Sequence, residues 1–309
     1  MILVAGIPSE TPCRLIIEAA EAEGAPLVVL HQRESGGSAI TLDIRGGQVT
    51  GSLRLRETDW PLDAFTGIFV RLMDPQDLPE LGQGRWKSDP ELVDRVEAFH
   101  ETLYEWLELT PALVMNRVSR MASNMSKPYQ AQLIRKVGLL TPPSLVTNNA
   151  DEVRDFQRIH GKVIFKSVSS IRSVVKILEG PKMAQLNQVR HLPTQFQALI
   201  AGVDLRVHVV GEEVFATEIK SGAIDYRYAG REDLDVEMVP ITLPAEIEDR
   251  CRRLSNYLEL PLAGIDLRRT PEEEYYCFEV NPQPGYSYYQ ENTGQDIARA
   301  IVRHLGRAA

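Results

Sequence analysis

Short apolar segments that alternate with helical segments dominate the first 112 residues and constrain the fold more than any other feature. Residues 2–5 and 27–30 are apolar runs of strand length, and the strand-like segment 67–71 is apolar up to Arg71. Residues 90–109 carry apolar positions at helical spacing. Strands that alternate with helices pack as a sheet with helices on its faces. The sequence therefore predicts a doubly wound α/β layer at the N-terminus.

The rest of the chain is predicted to form two segments of α+β structure. Helical and strand segments follow each other in residues 113–192, and residues 193–309 are mainly strands that end in a terminal helix. A chain of 309 residues is long enough for two or three domains of ordinary size. The expected organisation is an N-terminal domain at 1–112, a central subdomain at 113–192 and a C-terminal subdomain at 193–309.

Composition excludes several classes of protein. The formal net charge is −9, whereas proteins that bind nucleic-acid backbones are normally basic, so nucleic acid is not expected as a partner. No apolar run approaches the roughly 20 residues that span a bilayer, and the apolar start lacks the basic region of a signal peptide. A membrane partner is therefore not expected. The spacing of Cys13, Cys251 and Cys277 fits neither a disulfide framework nor a zinc site, which favours the reducing cytoplasm.

Three oxygen-bearing side chains lie in two apolar segments near the C-terminus. Asp266 falls inside the apolar run 263–267, and Glu279 and Asn281 close the segment 275–280. Side chains alternate along a strand, so Glu279 and Asn281 share one face, and Asp266 joins them if the two strands pair. Such oxygen ligands suit Mg²⁺, and a carboxylate in an apolar strand is costly without a partner. The three are predicted metal ligands, and the alternative is a set of solvated residues on an edge strand.

Two lysines are placed where they could meet an anion. Lys166 ends the apolar run 163–165, where a strand end can aim an ammonium at a phosphate, and Lys127 opens a helix, whose N–H groups also favour anions. The loop 167–173 adds hydroxyls and a guanidinium that could cover a triphosphate. Neither a Walker A pattern nor GxGxxG occurs, so P-loop and dinucleotide-binding folds are not indicated. Either lysine, taken alone, is more often a solvated surface residue.

A cluster of charged residues lies between these two groups in the sequence. Asp204 and Arg206 share one face of a predicted strand, Lys220 could lie on the neighbouring strand, and Arg227 follows. Cations gathered near a bound anion stabilise the charge that develops on a transferred phosphoryl group or an oxyanion. The alternative is a salt-bridged face of a sheet.

The order of these motifs resembles the ATP-grasp superfamily and, within it, the RimK-like carboxylate–amine ligases. The resemblance covers residues 113–309, while residues 1–112 are similar to the pre-ATP-grasp domain of that family in general pattern. Residues 141–148 and 265–271 look most like the microviridin-type peptide ligases, which make macrocyclic graspetides. In chain order the motifs are Lys127, Lys166, residues 197–200, Asp204-x-Arg206, Lys220, Asp225-x-Arg227, Asp266 and Glu279-x-Asn281-Pro282.

The resemblance implies ATP and Mg²⁺ as cofactors and a nucleotide clamped between the two α+β subdomains. It implies that the backbone near Ala198 and Leu199 reads the adenine edge. The other implied roles are phosphate contact by Lys127 and Lys166, ribose contact by Asp204, binding of two magnesium ions by Asp266, Glu279 and Asn281, contact of Arg227 with the γ-phosphate, and positioning of the acceptor carboxylate or the acyl phosphate by Arg206 and Lys220. Two departures from the family are the lack of glycine in the loop after Lys166 and the presence of Ala198 where relatives often carry an acidic residue.

The expected activity is ligation in the biosynthesis of ribosomally made, modified peptides (RiPPs). ATP would activate an Asp or Glu side chain of a precursor peptide, with its core and leader, as an acyl phosphate, because a carboxylate is a poor electrophile without a leaving group. A hydroxyl or an amine would then form an ester or amide, with release of ADP and phosphate. The alternatives are a ligase for small carboxylates such as amino acids or dipeptides, and a nucleotide-binding regulatory protein of the same fold. Related ligases are commonly dimers, so a homodimer is also considered.

Overall fold

The structure, a computed structural model, describes residues 1–81, 89–166, 176–221 and 236–307. The helices in these ranges are α1 (Thr11–Ala22), α2 (Pro90–Leu109), α3 (Val118–Met121), α4 (Lys127–Lys136), α5 (Ala150–His160), α6 (Pro181–Ala184), α7 (Ala245–Tyr257), α8 (Tyr286–Thr293) and α9 (Ile297–Gly306). The strands are β1 (Ile2–Gly6), β2 (Leu27–His31), β3 (Ala39–Arg45), β4 (Gln48–Leu55), β5 (Thr58–Pro61), β6 (Gly67–Arg71), β7 (Leu113–Met115), β8 (Ser144–Thr147), β9 (Val163–Lys166), β10 (Lys176–Ile177), β11 (Thr194–Ala198), β12 (Val203–Val210), β13 (Glu213–Ser221), β14 (Val236–Ile241), β15 (Leu262–Arg269) and β16 (Tyr275–Asn281).

The described residues fall into two compact units. The first holds residues up to Arg120, the short segment Leu260–Leu262 and the chain from Gly285 onward, and the second holds Met121–Glu259 and Ala263–Pro284. No helix among the described residues is both long enough and apolar enough to cross a membrane.

The first unit is built on a parallel sheet in the order β2–β1–β6–β7. Leu103 and Trp106 of α2 pack with Leu3 and Ile68 in its hydrophobic core. Helices α1 and α9 pack against each other and against β1. A second, antiparallel sheet in the order β3–β4–β5 contributes Leu53 to the same core. The α/β layer expected from the sequence is therefore confirmed.

The second unit contains an antiparallel sheet in the order β10–β9–β11–β8. Phe165 of β9 and Phe196 of β11 lie opposite each other and pack with Val153 of α5 in a small core. Because side chains alternate along a strand, the neighbouring residues Lys166 and Gln195 project from the other face of the sheet. This sheet therefore has an apolar face on its helices and a face that carries buried polar groups.

The other sheet of the second unit has five strands in the order β14–β13–β12–β15–β16. Strand β12 pairs with β13, β13 with β14 and β15 with β16, each in antiparallel fashion. Helix α7 packs against β12, and α4 packs against the edge strand β16. The two apolar segments that carry the candidate metal ligands are thus neighbouring, paired strands.

Several element bounds differ from those expected. The motif segment 197–200 begins inside the strand Thr194–Ala198 and extends beyond its end, and the expected terminal helix spans Ile297–Gly306. Gly294 has a left-handed φ of 72° and ends α8, which the sequence patterns did not indicate. The division at 112 and 192 stays a prediction, although β7 pairs with β6 in the first sheet and β11 pairs with β9 in the central sheet.

Candidate nucleotide and metal site

The pairing of β15 with β16 brings together the three oxygen-bearing side chains singled out in the sequence. Asp266 lies directly opposite Glu279, and Gly264 lies opposite Asn281. Residues that face each other across two strands project to the same side, and Glu279 and Asn281 are two residues apart on one strand. The two carboxylates and the amide therefore share one face of the sheet.

A β-bulge decides which residues of β16 reach this face. The register shifts between Asp266 and Leu267, so that Leu267 pairs with Cys277 while Asp266 pairs with Glu279, and Phe278 is the extra residue. Cys277 and Val280 are both buried although they are three positions apart. The extra residue lets both face the core while Glu279 faces the candidate site.

Each carboxylate of this face lies close to a cation. Arg206 Nη1 of β12 donates to Asp266 Oδ1 at 2.7 Å, and Lys127 Nζ of α4 lies 3.8 Å from Glu279 Oε2. The Arg206 side chain is only 6% exposed, so its charge needs the partner that Asp266 supplies. The sequence did not predict these pairs, although it did select all four residues.

The position of Arg206 depends on a glycine and a histidine beside it. A Cβ at residue 264 would overlap the Arg206 guanidinium and would lie 2.6 Å from the Cβ of Pro284. Arg206 Nε donates to His208 Nε2 at 3.4 Å. Burial, and then the neighbouring guanidinium, hold the pKa of His208 well below its ordinary value, so this imidazole is neutral and can accept. The guanidinium is therefore oriented from both ends.

Gln130 of α4 holds the metal-ligand strand through its backbone. The Gln130 side chain donates from Nε2 to the Val280 carbonyl, and its Oε1 accepts from the Val280 N–H, both at 2.9 Å. Val280 lies between Glu279 and Asn281, and Gln130 is one helical turn after Lys127. One buried amide thus fixes the helix that carries Lys127 against the strand that carries the carboxylate. Local sequence patterns carry no signal for this contact, because the two residues are 150 positions apart.

Asp204 lies on the same face of β12 as Arg206 and makes a paired hydrogen bond with Arg268. Arg268 Nε and Nη2 donate to the two carboxylate oxygens of Asp204 at 2.8 and 2.9 Å. Both side chains are largely buried. The predicted face of Asp204 and Arg206 is therefore formed, with Arg268 as a member that the sequence did not single out.

Lys220 lies on β13, the strand next to β12, as the sequence suggested. It projects from the face opposite to that of Asp204 and Arg206. Arg206 pairs with Thr217, and Asp204 pairs with Ile219, so alternation turns Lys220 away from Arg206. Lys220 instead lies opposite Glu237, with its Nζ 3.3 Å from the carboxylate, and both side chains are more than half exposed. The register therefore does not bring Lys220 to the cluster of Asp204 and Arg206.

Lys166 is buried on the polar face of the central sheet. It pairs directly with Gln195, and its Nζ lies 3.5 Å from Gln197 Oε1. Burial of an ammonium calls for a compensating anion or acceptor, and Gln197 Oε1 supplies an acceptor here. Phosphate contact by Lys166 stays a prediction.

The N–H groups of the expected hinge are already used within the protein. Ala198 donates to the Pro143 carbonyl at 3.0 Å, and Leu199 donates to the Lys162 carbonyl at 2.9 Å. The Ile200 carbonyl that follows accepts from Arg268 Nη1 at 2.9 Å.

Some expected site residues lie outside the described residues. These are Arg227, Asp225 and the loop 167–173. Within residues 1–81, 89–166, 176–221 and 236–307, no three His, Cys, Asp or Glu side chains form a group that could hold a metal ion. Burial raises the pKa of the Cys277 thiol well above its ordinary value, so this residue beside the site is not a thiolate nucleophile.

Comparisons with known proteins agree with the motif order. The RimK-like ATP-grasp domain matches residues 124–305. A probable alpha-L-glutamate ligase of Teredinibacter turnerae is 24% identical over 233 residues, which cover 71% of this chain and 76% of that protein.

Two solved structures share the fold over nearly the whole chain. The RiPP-associated ATP-grasp ligase of Chryseobacterium gregarium, in complex with ADP and a leader and core peptide, has a TM-score of 0.80 at 23% identity and covers 100% of this chain and 97% of that chain. The ATP-grasp ligase PsnB, in complex with a phosphomimetic variant of a minimal precursor, Mg and ADP, has a TM-score of 0.77 at 23% identity and covers 99% and 98%.

The matched domain extends over more than half of the chain. The structural likeness adds the N-terminal part, so the expected fold is confirmed from end to end. The sequence, the sheet that carries Asp266 and Glu279, and the domain match all lead to the same conclusion: this chain belongs to the RimK-like ATP-grasp family.

Proposed function

We propose that this protein is a ligase that uses ATP and Mg²⁺ to activate a carboxylate as an acyl phosphate and joins it to a hydroxyl or an amine, with release of ADP and phosphate. The observation that carries the proposal is the shared face of Asp266, Glu279 and Asn281, with Arg206 and Lys127 beside its carboxylates. Family membership supports a ligase that uses ATP. A solved relative of the same fold that contains Mg and ADP supports the pair of cofactors.

The donor set of this face fits magnesium. Two carboxylates and one amide oxygen are too few for a cage made by the protein alone, and Mg²⁺ is usually held by one or two carboxylates together with water and substrate phosphates. Bound magnesium would offset the repulsion between a substrate carboxylate and the triphosphate. Asp266, Glu279 and Asn281 are the proposed ligands of two such ions, and Gln130 keeps two of them in place through Val280.

The proposed nucleotide contacts come from both sheets of the second unit. Lys166, on the polar face of the central sheet, and Lys127, at the start of α4, are proposed to bind phosphates, and Asp204 is proposed to accept from the ribose hydroxyls. Because the N–H groups of Ala198 and Leu199 are used by Pro143 and Lys162, the hinge is proposed to meet the adenine edge mainly through carbonyl oxygens.

Arg206 is the described cation proposed to orient the acceptor carboxylate. Its Nη1 is held by Asp266 and its Nε by His208, so its plane is fixed before a substrate arrives. A fixed guanidinium can hold a carboxylate, or the phosphorylated carboxyl, without first reorganising. Arg227 is proposed to face the γ-phosphate on the resemblance alone. Lys220 is left out of this proposal because it lies on the opposite face.

The proposed acceptor is an Asp or Glu side chain of a precursor peptide, with a Ser, Thr or Lys side chain of the same peptide as nucleophile. Phosphorylation makes the carboxyl carbon electrophilic. The hydroxyl or amine then attacks that carbon, loses its proton and displaces phosphate. The solved relative that holds a leader and core peptide supports a peptide partner. Four further proposals come from the sequence alone. They are a location in the cytoplasm, the absence of nucleic-acid and membrane partners, a homodimer and the three-domain organisation.

A small-molecule ligase is the second candidate, because the curated relative is named a probable alpha-L-glutamate ligase. The two candidates differ in which acceptor stimulates ADP release. We would incubate the full chain with ATP and Mg²⁺ and either candidate precursor peptides or free glutamate and dipeptides, and follow ADP and product mass.

ADP release with a peptide that loses one water per bond supports the proposal. ADP release that is stimulated by free amino acids, but by none of the peptides tested, supports the second candidate. ATP binding without any release of ADP, over saturating acceptors of both classes, would support a regulatory nucleotide-binding protein and refute the ligase.

A further inference from the structure

Arg268 of β15 joins three separate parts of the candidate site. Besides its paired hydrogen bond with Asp204, its Nη1 donates to the Ile200 carbonyl at 2.9 Å. Its guanidinium carbon also lies 5.4 Å from the centre of the Phe278 ring, and Phe278 is the extra residue of the bulge. The Arg268 side chain is 15% exposed. These contacts are therefore largely shielded from water. Electrostatic contacts are stronger in such a shielded environment than in water.

Each of these contacts falls beside a residue with a proposed role. Ile200 follows the hinge, Asp204 is the proposed ribose contact, and Phe278 precedes the proposed metal ligand Glu279. A guanidinium fixes the plane of a carboxylate by two parallel hydrogen bonds, which an ammonium cannot do. The same guanidinium is attracted to the face of an aromatic ring. Arg268 thus contacts the residue after the hinge, Asp204 and the bulge residue Phe278 together.

We infer that Arg268 is a positioning residue that aligns Asp204 for the ribose and the Phe278 bulge for the metal, so that nucleotide and magnesium meet one preformed arrangement. The inference rests on the proposed function, since it needs Asp204 at the ribose and Glu279 at the metal. Arg268 is not proposed to touch the reacting atoms. It acts through Asp204 and through the backbone that carries Glu279.

Arg269 offers a matched control from the same strand. It is the next residue, it also forms an ion pair, with Glu218 at 2.9 Å, and it projects from the other face of the sheet. Loss of Arg269 removes the same charge from the same strand without touching Asp204 or Phe278. A difference between the two arginines therefore reports position and not net charge or general stability.

The test compares four full-length variants, Arg268→Gln, Arg268→Lys, Asp204→Asn and Arg269→Gln, with the wild-type protein. Titration calorimetry with a non-hydrolysable ATP analogue and with its 2′-deoxy form measures affinity and ribose discrimination, and a magnesium titration at saturating nucleotide measures metal dependence. Thermal melts identify any variant that does not fold.

We expect Arg268→Gln to weaken the binding of the ribonucleotide analogue by about tenfold. It should also reduce the discrimination between the ribose and 2′-deoxy forms toward that of Asp204→Asn, because both variants lose the same ion pair. Arg268→Gln should also raise the magnesium concentration at the midpoint of the magnesium titration. Arg268→Lys keeps the charge and should fall closer to Arg268→Gln than to wild type, since the fixed plane is lost. Arg269→Gln should match wild type in all three measurements.

The outcomes separate this inference from the proposed function. If Asp204→Asn leaves ribose discrimination unchanged, the ribose assignment fails and the inference about Arg268 fails with it. If Asp204→Asn changes discrimination but folded Arg268→Gln and Arg268→Lys do not, the ribose assignment stands and Arg268 is not a positioning residue. Equal losses in Arg268→Gln and Arg269→Gln would also overturn the inference.

Discussion

Arg206 and Asp266 form an ion pair of 2.7 Å between neighbouring strands, and the space for its guanidinium exists because residue 264 has no side chain. The pair joins the residue proposed to orient the acceptor to a residue proposed to hold magnesium. Displacement of either one is therefore expected to disturb both functions.

Gly264→Ala tests this arrangement. The new Cβ would overlap the Arg206 guanidinium, and overpacking of a buried position typically costs about 1–3 kcal/mol of stability. We expect a lower melting temperature and a loss of kcat/KM for ADP release of at least about tenfold, which equals 1.4 kcal/mol of transition-state stabilisation. Gly37→Ala is the control, because a Cβ there meets no heavy atom within 4 Å. Wild-type kcat/KM in folded Gly264→Ala would contradict the close packing.

Glu279→Gln removes one carboxylate charge from the proposed metal face while it keeps the side chain's size. We expect turnover to fall by at least about a hundredfold, as for the loss of a charge that stabilises the transition state, and magnesium dependence to shift to higher concentration. Glu272→Gln, an exposed acid in the turn between the same two strands, should retain activity. Normal turnover in Glu279→Gln would remove this residue from the metal site.

Lys166→Ala removes the buried ammonium of the central sheet. We expect affinity for an ATP analogue to fall by about ten- to a hundredfold, since a charge-assisted contact with phosphate is worth about 1.5–3 kcal/mol. Lys176→Ala changes an exposed lysine on the neighbouring strand and should leave the dissociation constant unchanged. An unchanged affinity in Lys166→Ala, measured by calorimetry, would place the phosphates elsewhere.

Lys220→Ala distinguishes the two faces of the five-stranded sheet. Its ion pair with Glu237 is exposed, and such pairs contribute about 0–1 kcal/mol. We expect stability and kcat/KM close to wild type, in contrast to Arg206→Lys, which removes the planar guanidinium and should lose most activity. A loss of kcat/KM in Lys220→Ala as large as that in Arg206→Lys would restore the expected role of Lys220 in positioning the acceptor carboxylate or the acyl phosphate.

Acid should destabilise the first unit through His100. Burial lowers the pKa of this histidine, while nearby Asp74 opposes the shift, and its Nε2 lies 3.2 Å from Ser35 Oγ. The unfolded chain, with an ordinary pKa of about 6.5, takes up a proton that the folded chain does not. The contribution of neutral His100 to the free energy of unfolding is thus fully present above that pH. It is lost as the pH falls toward the pKa of His100 in the folded protein, by at most about 1.4 kcal/mol per pH unit.

The measurement for His100 is urea unfolding at pH 7.5 and pH 5.5 in the wild type and in His100→Phe. The phenyl ring cannot be protonated, so the variant should lose less stability between the two pH values. The comparison of the two losses, rather than of absolute stability, removes the effect of altered packing. Equal losses would show that His100 carries no pH dependence.

Much of the fold follows from local patterns in the sequence. The helix Pro90–Leu109 has the bounds expected from apolar periodicity, and the apolar run at 163–165 lies in the strand Val163–Lys166. The motif order then led to the family without any structure. Elements without a clear period, such as Val236–Ile241, were not expected.

Contacts between distant residues account for most of what the sequence did not reveal. Gln130 and Arg268 look like ordinary surface residues in a sequence, and their partners Val280 and Asp204 lie 150 and 64 positions away. Their burial and exact partners arise from tertiary packing, which periodicity does not encode.

The face of Lys220 could have been predicted from a short turn. Val210 pairs with Glu213, so the hairpin has a two-residue turn at Gly211-Glu212, and Gly211 has a left-handed φ of 55°. Loop length fixes register in such hairpins. Counting outward from this turn pairs Arg206 with Thr217 and puts Lys220 on the opposite face.

The bulge at Phe278 also bears on how this chain can change length over evolution. Because Phe278 has no partner across the ladder, its deletion would leave Cys277 opposite Leu267 and Glu279 opposite Asp266. A deletion or insertion elsewhere in the strand would exchange the inward and outward sets of side chains. Homologous chains are therefore expected to tolerate a missing residue at this point, at the expense of the aromatic ring beneath Arg268, and to keep a constant length on either side of it.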